Sequence, residues 1–255
     1  ELIVIGARPS TGKTALGCDL LRHSAMLGKH SAFFSVEMAA DQIMLRLFAA
    51  QARVNGMKLR NGFWKDEHAP RFAPTAEAMA KWKIHLDDRS TLTGQDVLLS
   101  ARRLKREAQL DLIVVDYIQL MRGVGKYDQR HEELGEASRF LKQTAKELNV
   151  PVMALSQLNR GLEQRPNKRP VMSDLRQSGA IEQDADVILL LAWPHRVDAN
   201  QPPNQYQIFV AKNRNRPINQ PVVICHFDPT RQMITEPSIR ERRNYCPEFD
   251  SHESF

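Results

Sequence analysis

The chain has 255 residues, 42% of them hydrophobic, with 12 Gly, 14 Pro and 3 Cys. That balance excludes a disordered, collagenous or disulfide-scaffold chain, and the length suits one large domain or two small ones. Lys and Arg number 36 against 30 Asp and Glu, a net +6 that suits a polyanion only where the basic residues share a surface. Cys18, Cys225 and Cys246 are widely spaced and form no CxxC pair, so neither a zinc site nor a disulfide framework is suggested, and a reducing compartment is expected. No apolar run approaches the roughly 20 residues of a bilayer span, so a soluble intracellular protein is expected. The sequence opens on ELIVIG, with no Met or leader before an apolar run, and reads as a piece of something longer.

Strand-length apolar runs alternate with longer stretches of helical period, the pattern of a parallel sheet with crossover helices. The strand candidates are Leu2–Ile5, Ser31–Ser35, Leu110–Asp116, Val150–Ser156 and Asp186–Leu191, each too continuously apolar for a half-exposed strand. Between them Leu16, Leu20 and Leu27 mark a first helix, and Ile43, Leu47, Ala50 and Val54 a second. Asn55–Leu92, with Gly56, Gly62, Pro70 and Pro74, reads as loop plus short helices. A Thr93-x-x-Asp96 capping box then opens a helix carrying Val97, Ala101, Leu104 and Ala108. Leu134, Ala137, Leu141, Ala145 and Leu148 mark the next. After the proline-rich Trp193–Asn204, the alternating segments YQIFVAK and PVVICHF flank NRNRPINQP and predict a β-hairpin on the sheet edge. No repeat or linker divides the chain, so one α/β domain is expected.

Directly after the first strand comes GARPSTGKT, Gly6–Thr14, followed by helix. Phosphate binding requires this arrangement: backbone N–H groups of a tight loop at a helix N-terminus surround the phosphates, a Lys reaches the terminal ones and a hydroxyl ligates Mg²⁺. Gly12, Lys13 and Thr14 fill those roles, with Ala7, Arg8, Pro9, Ser10 and Thr11 forming the loop. The first Gly of GxxxxGK[ST] falls on Ala7, one break in the strict pattern. A chance GKT is the alternative, and the strand before and helix after it count against that.

Asp116 ends the buried run LIVVD, where a carboxylate would complete a Mg²⁺ site. Tyr117 follows it, so an acid that activates water must come from elsewhere. Glu37, just beyond the second strand, opens on the same crevice in a parallel sheet; on local sequence it fits a general base and a helix-N-terminal Glu equally well. Ser156 and Gln157 end the fourth strand at that rim, and Gln157 is suited to sense a γ-phosphate.

The motifs GARPSTGKT, FSVEM, LIVVDYIQLM, RFLKQTAKELNVPVMALSQLNRGLEQR, KRPVMSDLRQSGAIEQDADVIL and VAKNRNRP together resemble those of DnaB-type replicative DNA helicases, specifically their RecA-like motor domain. They follow the family's order from Gly6 to about Asp228. The family also departs from Gly at the Ala7 position.

The resemblance implies a RecA-like P-loop NTPase core over residues 1–235, an α/β fold with a mostly parallel twisted sheet, helices on both faces and the C-terminal edge hairpin. A motif-free tail over 236–255 is expected to be flexible. It implies an ATP-driven homo-hexameric ring that moves 5′ to 3′ on single-stranded DNA, with ATP sites between subunits. Lys13 and Thr14 would bind phosphate and Mg²⁺, Asp116 complete the metal site, Glu37 act as base and Gln157 sense the γ-phosphate. Lys212 and Arg214 match a basic pair inserted into the neighbouring subunit's ATP site. Arg176, Gln177 and Gly179 fall in a DNA-holding pore loop, where Gln177 replaces the family's usual Glu. A primase, a helicase loader and a bacterial, phage or plasmid origin with cytoplasmic location also follow by resemblance. A RecA-type recombinase, or a nucleotide-gated loader without unwinding activity, is the alternative.

Overall fold

The computed structural model of the chain describes residues 1–125, 127, 129–165, 168–175, 179–218 and 222–241. In chain order the elements are β1 (Leu2–Ala7), α1 (Lys13–Met26), β2 (His30–Ser35), α2 (Ala40–Ala52), α3 (Gly56–Arg60), α4 (Phe72–Met79), β3 (Lys83–Asp87), α5 (Gly94–Glu107) and β4 (Leu112–Asp116). They continue with α6 (Arg130–Leu148), β5 (Val152–Gln157), α7 (Gly179–Asp184), β6 (Val187–Ala192), α8 (Pro194–Val197), β7 (Gln205–Asn213), β8 (Val222–Asp228) and β9 (Met233–Thr235).

One sheet takes all of these strands in the order β3-β2-β4-β5-β1-β6-β7-β8-β9. From β3 to β6 the pairings are parallel, and from β6 to β9 antiparallel. The five expected strands all form, and their unbroken apolarity has a direct cause, since neighbouring residues serve opposite faces. Leu2, Val4, Phe34, Val115 and Ala154 belong to the core under α5, α6 and α7, whereas Ile5, Phe33, Val114 and Leu155 belong to the core under α1 and α2. Burying each large apolar side chain contributes roughly 1.5–3 kcal/mol, so both helix layers are held by the same short strands.

Helix ends follow local chemistry. The Thr93 capping box forms in both directions, with Asp96 N donating to Thr93 Oγ1 at 3.0 Å and Thr93 N to Asp96 Oδ2 at 2.9 Å. Three helical expectations run past the helices, Ala108 among them, which follows α5 in an extended conformation. Val54 is buried but lies beyond α2, which Arg53 closes in the left-handed region (φ 55°), and Leu27 follows α1 at 78% exposure.

Two further expectations need correction. The stretch read as loop and short helices contains β3, whose sequence KIHLD pairs in parallel with β2. As an edge strand it packs with only Ile84 and Leu86 as aliphatic residues, too few to register as a run. The late hairpin of β7 and β8 forms, but β9 pairs outside it and takes the edge. Beyond β9, Glu241 accepts from Ser238 N at 2.8 Å and lies 2.5 Å from His226 Nδ1 of β8, while residues 242–255 fall outside the described residues. No helix among the described residues is long and apolar enough to cross a membrane.

Asp186, at the start of β6, ties three parts of the chain together. Its carboxylate accepts from Leu2 N at 2.8 Å, from Lys142 Nζ of α6 at 2.5 Å and from Arg214 Nη1 at 3.2 Å. Burial alone would raise this carboxyl, but Lys142, the Leu2 amide and Arg214 bring it below the usual range. A depressed carboxyl stabilises the fold above its unfolded value and loses that contribution as pH falls through the folded one. Asp186→Asn is therefore expected to lower unfolding free energy by about 2 kcal/mol at pH 7. Urea melts should show the gap between wild type and variant narrowing as pH drops below the ordinary Asp value of roughly 3.9.

Candidate active site

The loop between β1 and α1 is built by its two ends. Ala7 remains in β1, in register with Gln157 of β5, and its carbonyl accepts from Leu158 N at 2.9 Å. Regular strand conformation accommodates a Cβ, which is why Ala can stand where the phosphate-loop pattern asks for Gly. Thr11 N donates to Arg8 O at 3.2 Å, Ser10 takes φ 60° and Gly12 takes φ 87° before α1 begins at Lys13. No side chain caps α1. Its first amides thus lack intrahelical acceptors and face outward beside a lysine, which makes the helix start an anion site.

Asp116 is fully buried at the end of β4. Thr14 Oγ1 donates to its Oδ2 at 2.7 Å, and Lys13 Nζ lies 3.3 Å from Oδ1 and 3.7 Å from the centroid of the Tyr117 ring. Burial pulls the Lys13 ammonium below its usual range, with Asp116 and then Glu37 opposing that shift. Oδ1 of Asp116 is buried and makes no hydrogen bond. A hydroxyl and a carboxylate side by side are hard-oxygen donors of the kind Mg²⁺ takes, so these residues fit that ion. Among the described residues no cluster of three His, Cys, Asp or Glu side chains forms an alternative metal cage.

Glu37 is exposed two residues beyond Ser35, which pairs in register with Asp116. The segment is fastened by Val36 N donating to Asp116 O at 2.9 Å and Met38 N to Ser35 Oγ at 3.0 Å. Its charge acts on both Lys13 and Tyr117; burial raises the Tyr117 phenol first, and Glu37 and Asp116 raise it further. Glu37 itself lies three residues before α2 begins at Ala40.

Gln157 ends β5 beside Ala7 with its residue exposed at the rim. Its backbone is held by a residue that sequence reasoning missed. Gln119 accepts from Gln157 N at 3.0 Å and donates to Gln157 O at 3.1 Å and Ser156 Oγ at 2.7 Å. The available signal was a lone amide between Ile118 and Leu120, an awkward place for an unpartnered polar group.

Arg8, expected in the nucleotide loop, turns its guanidinium the other way. It donates to Leu158 O at 2.7 Å and to Glu163 Oε1 at 2.6 Å, binding the loop to the segment after β5. Pro9 and Ser10 stay exposed, and Thr11 is buried.

Lys212 and Arg214 sit elsewhere. Lys212 pairs with Ile188 and Asn213 with Val187, at the start of β6, whereas the phosphate loop lies past the C-terminal end of β1. At about 3.3 Å per residue, five strand positions separate the two levels by roughly 17 Å. Lys212 Nζ donates to Glu182 O at 2.7 Å and Arg214 Nη2 to Gln183 O at 2.8 Å, so the pair caps the C-terminal end of α7. Burial and then Arg214 lower the Lys212 ammonium. Gly179 opens α7, where an added Cβ would meet nothing within 4 Å. Arg176 and Gln177 lie outside the described residues.

The profile of the DnaB-like helicase C terminal domain family matches residues 1–233. The replicative DNA helicase DnaB of Buchnera aphidicola subsp. Schizaphis graminum is 48% identical over 222 residues, covering 86% of this chain and 48% of that protein. The replicative DNA helicase DnaC of Bacillus subtilis strain 168 is 41% identical over 221 residues, covering 86% and 49%. The chain thus spans about half the length of the curated relatives it matches. A solved DnaB-like replicative helicase, studied with its primase interactions, superposes with a TM-score of 0.89 at 29% identity over 93% of this chain and 57% of that one. A solved ATPase domain superposes at 0.88 and 29% identity, over 93% and 84%. With the phosphate loop, the Asp116 site and the sheet order already in place, the match over residues 1–233 settles the family: the chain belongs to the DnaB-like helicase C-terminal domain family.

Proposed function

We propose that this chain is the ATP-hydrolysing motor of a replicative DNA helicase, working as a homo-hexameric ring that moves 5′ to 3′ along single-stranded DNA. One observation carries the reading: a fully buried Asp116 engages Thr14 and Lys13 at an uncapped helix start. The relatives' names and bacterial sources, and a solved relative's primase interactions, support DNA replication in a bacterial cytoplasm with a primase as partner.

The open amides of Gly12 and the first turn of α1 bind the phosphates of ATP, and Lys13 leaves Asp116 for the terminal phosphate. Thr14 and Asp116 would hold Mg²⁺, which would supply charge neutralisation for the transferring phosphoryl group. Glu37, solvent-facing and near Lys13, accepts the proton of the attacking water. Gln157, at the rim beside Ala7, contacts the γ-phosphate and registers its loss. Lys212 and Arg214 lie too far along the strands from their own loop to complete it, which supports their acting on a neighbour's ATP; a guanidinium supplied in trans is worth roughly 10³–10⁵ in rate. Arg176, with Gln177 and Gly179, contacts the DNA backbone, so binding is indifferent to sequence and weakens with salt.

Glu37→Gln is expected to keep ATP affinity while DNA-stimulated hydrolysis falls by about 10²-fold or more; steady-state turnover at the wild-type rate would remove the base from Glu37. Arg214→Ala and Lys13→Ala subunits, each inactive alone, are expected to regain part of the ATPase activity when mixed. Titrating their ratio checks this, and activity that stays flat at every ratio would place the arginine in its own subunit's site.

A further inference from the structure

The phosphate loop has a partner nearly two hundred positions away. Tyr206 of β7 is fully buried, and its hydroxyl donates to Thr11 O at 2.8 Å. Its ring lies 5.2 Å from that of Phe227 on β8, which Trp193 meets edge-on at 5.1 Å. Burial raises the phenol pKa, so the hydroxyl remains a donor. The same two aromatic residues line Gly12: a Cβ added there would lie 3.2 Å from Phe227 Cζ and 3.3 Å from Tyr206 Oη.

Thr11 C=O and Gly12 N–H belong to one peptide unit, and in a planar trans peptide the two point in opposite directions. A Thr11 carbonyl held inward against the aromatic layer therefore turns the Gly12 amide outward, to the side where α1 begins. Among the described residues no hydrogen bond engages that amide. Glycine populates positive and negative φ with similar ease, so backbone preference alone does not hold Gly12 at φ 87° against rotation of this peptide. Thr11 is itself buried, and an inward carbonyl without a partner would be costly.

We infer that Tyr206 is a positioning residue for nucleotide binding, its hydroxyl selecting the orientation of the Thr11–Gly12 peptide that offers the Gly12 N–H to a phosphate. The inference rests on the reading of Gly12–Thr14 as the phosphate site. It assigns the antiparallel half of the sheet a part in that site: β7 and β8 form the wall against which the loop is set. An amide that meets a phosphate equally in the ground and transition states changes KM and leaves kcat alone.

Tyr206→Phe keeps the ring and removes only the hydroxyl. In the full chain it is expected to weaken binding of Mg²⁺·mant-ADP about tenfold, equivalent to roughly 1.4 kcal/mol, and to raise KM for ATP similarly with kcat within about twofold. Thr144→Val, which removes a hydroxyl bond to Phe140 O (2.8 Å) inside α6, should lower the melting temperature and leave mant-ADP affinity intact. Wild-type affinity in Tyr206→Phe, or an equal loss in Thr144→Val, overturns the positioning role. Lys13→Ala separates the two layers of the argument. If it loses mant-ADP while Tyr206→Phe does not, only the positioning role falls; if it binds as wild type does, the phosphate-site reading falls and this inference with it.

Discussion

A carboxylate with no exposure to solvent costs several kcal/mol unless other groups compensate its charge, and Asp116 obtains that compensation from two adjacent residues, Lys13 and Thr14. Both stand on the first turn of α1, so the charge of β4 fixes where α1 starts and how it lies. Gly17, one turn further on, lets the helix approach the sheet: a Cβ there would already be 3.1 Å from Leu155 Cδ1. Electrostatics at the helix start and close packing one turn later thus determine the same helix position. The loop between β1 and α1 is what remains to be spanned, and its short length leaves the backbone few ways of doing so. In this state Lys13 serves the carboxylate; a bound phosphate would compete for the same ammonium, so charge balance at Asp116 and ligand binding are one problem.

The polarity of the sheet separates two sets of cations that composition cannot distinguish. Lys13 lies past the C-terminal end of a parallel strand. Lys212 lies at the end of β7, which runs the other way, and Arg214 follows that strand directly, so both emerge at the opposite end of the strands. There they satisfy the last carbonyls of α7, where a helix C-terminus favours positive charge. Arg214 also touches Asp186, which holds β1 through Leu2 N and α6 through Lys142. The basic pair is thus anchored to the base of the central strands, and any reach toward an external anion would draw on donors that α7 now uses.

How much of this was legible in the sequence depended on how local the cause was. The central strands announce themselves because burial on both faces keeps them mostly apolar, with polar residues such as Ser35, Asp116 and Ser156 at their ends, and the Thr93–Asp96 box because both partners lie within one turn. Lys13, Thr14 and Asp116 were legible as a cluster because a Lys-Thr pair after the first strand and an Asp ending a buried parallel strand fall at one end of the sheet, where the structure brings them together. β3 was not, since an edge strand needs only Ile84 and Leu86 to pack. Tyr206 and Gln119 were not, because each acts on a backbone group distant in sequence, and nothing in YQIFVAK or DYIQLM names the carbonyl or amide it meets. Arg8 was legible as a loop residue but not in its direction, which Leu158 and Glu163 decide.

That direction bears on how the nucleotide loop can influence the segment leading to Arg176. Two connections leave the loop. The Arg8–Glu163 ion pair has a carboxylate 62% exposed, so water and salt screen it and it can transmit little. The backbone connection is different: Leu158 N bonds Ala7 O, Asn159 N bonds Asp174 O, and Asp174, nearly buried, holds Arg165 through both carboxylate oxygens and the Val171 amide. Leu158 and Asp174 are buried there, whereas Asn159 and Val171 beside them are exposed. Coupling needs packed elements that move as units rather than the most conspicuous charge pair. The β1–β5 register thus reaches Asp174 through backbone hydrogen bonds at Leu158 and Asn159, with Arg8 holding Leu158 O against the loop.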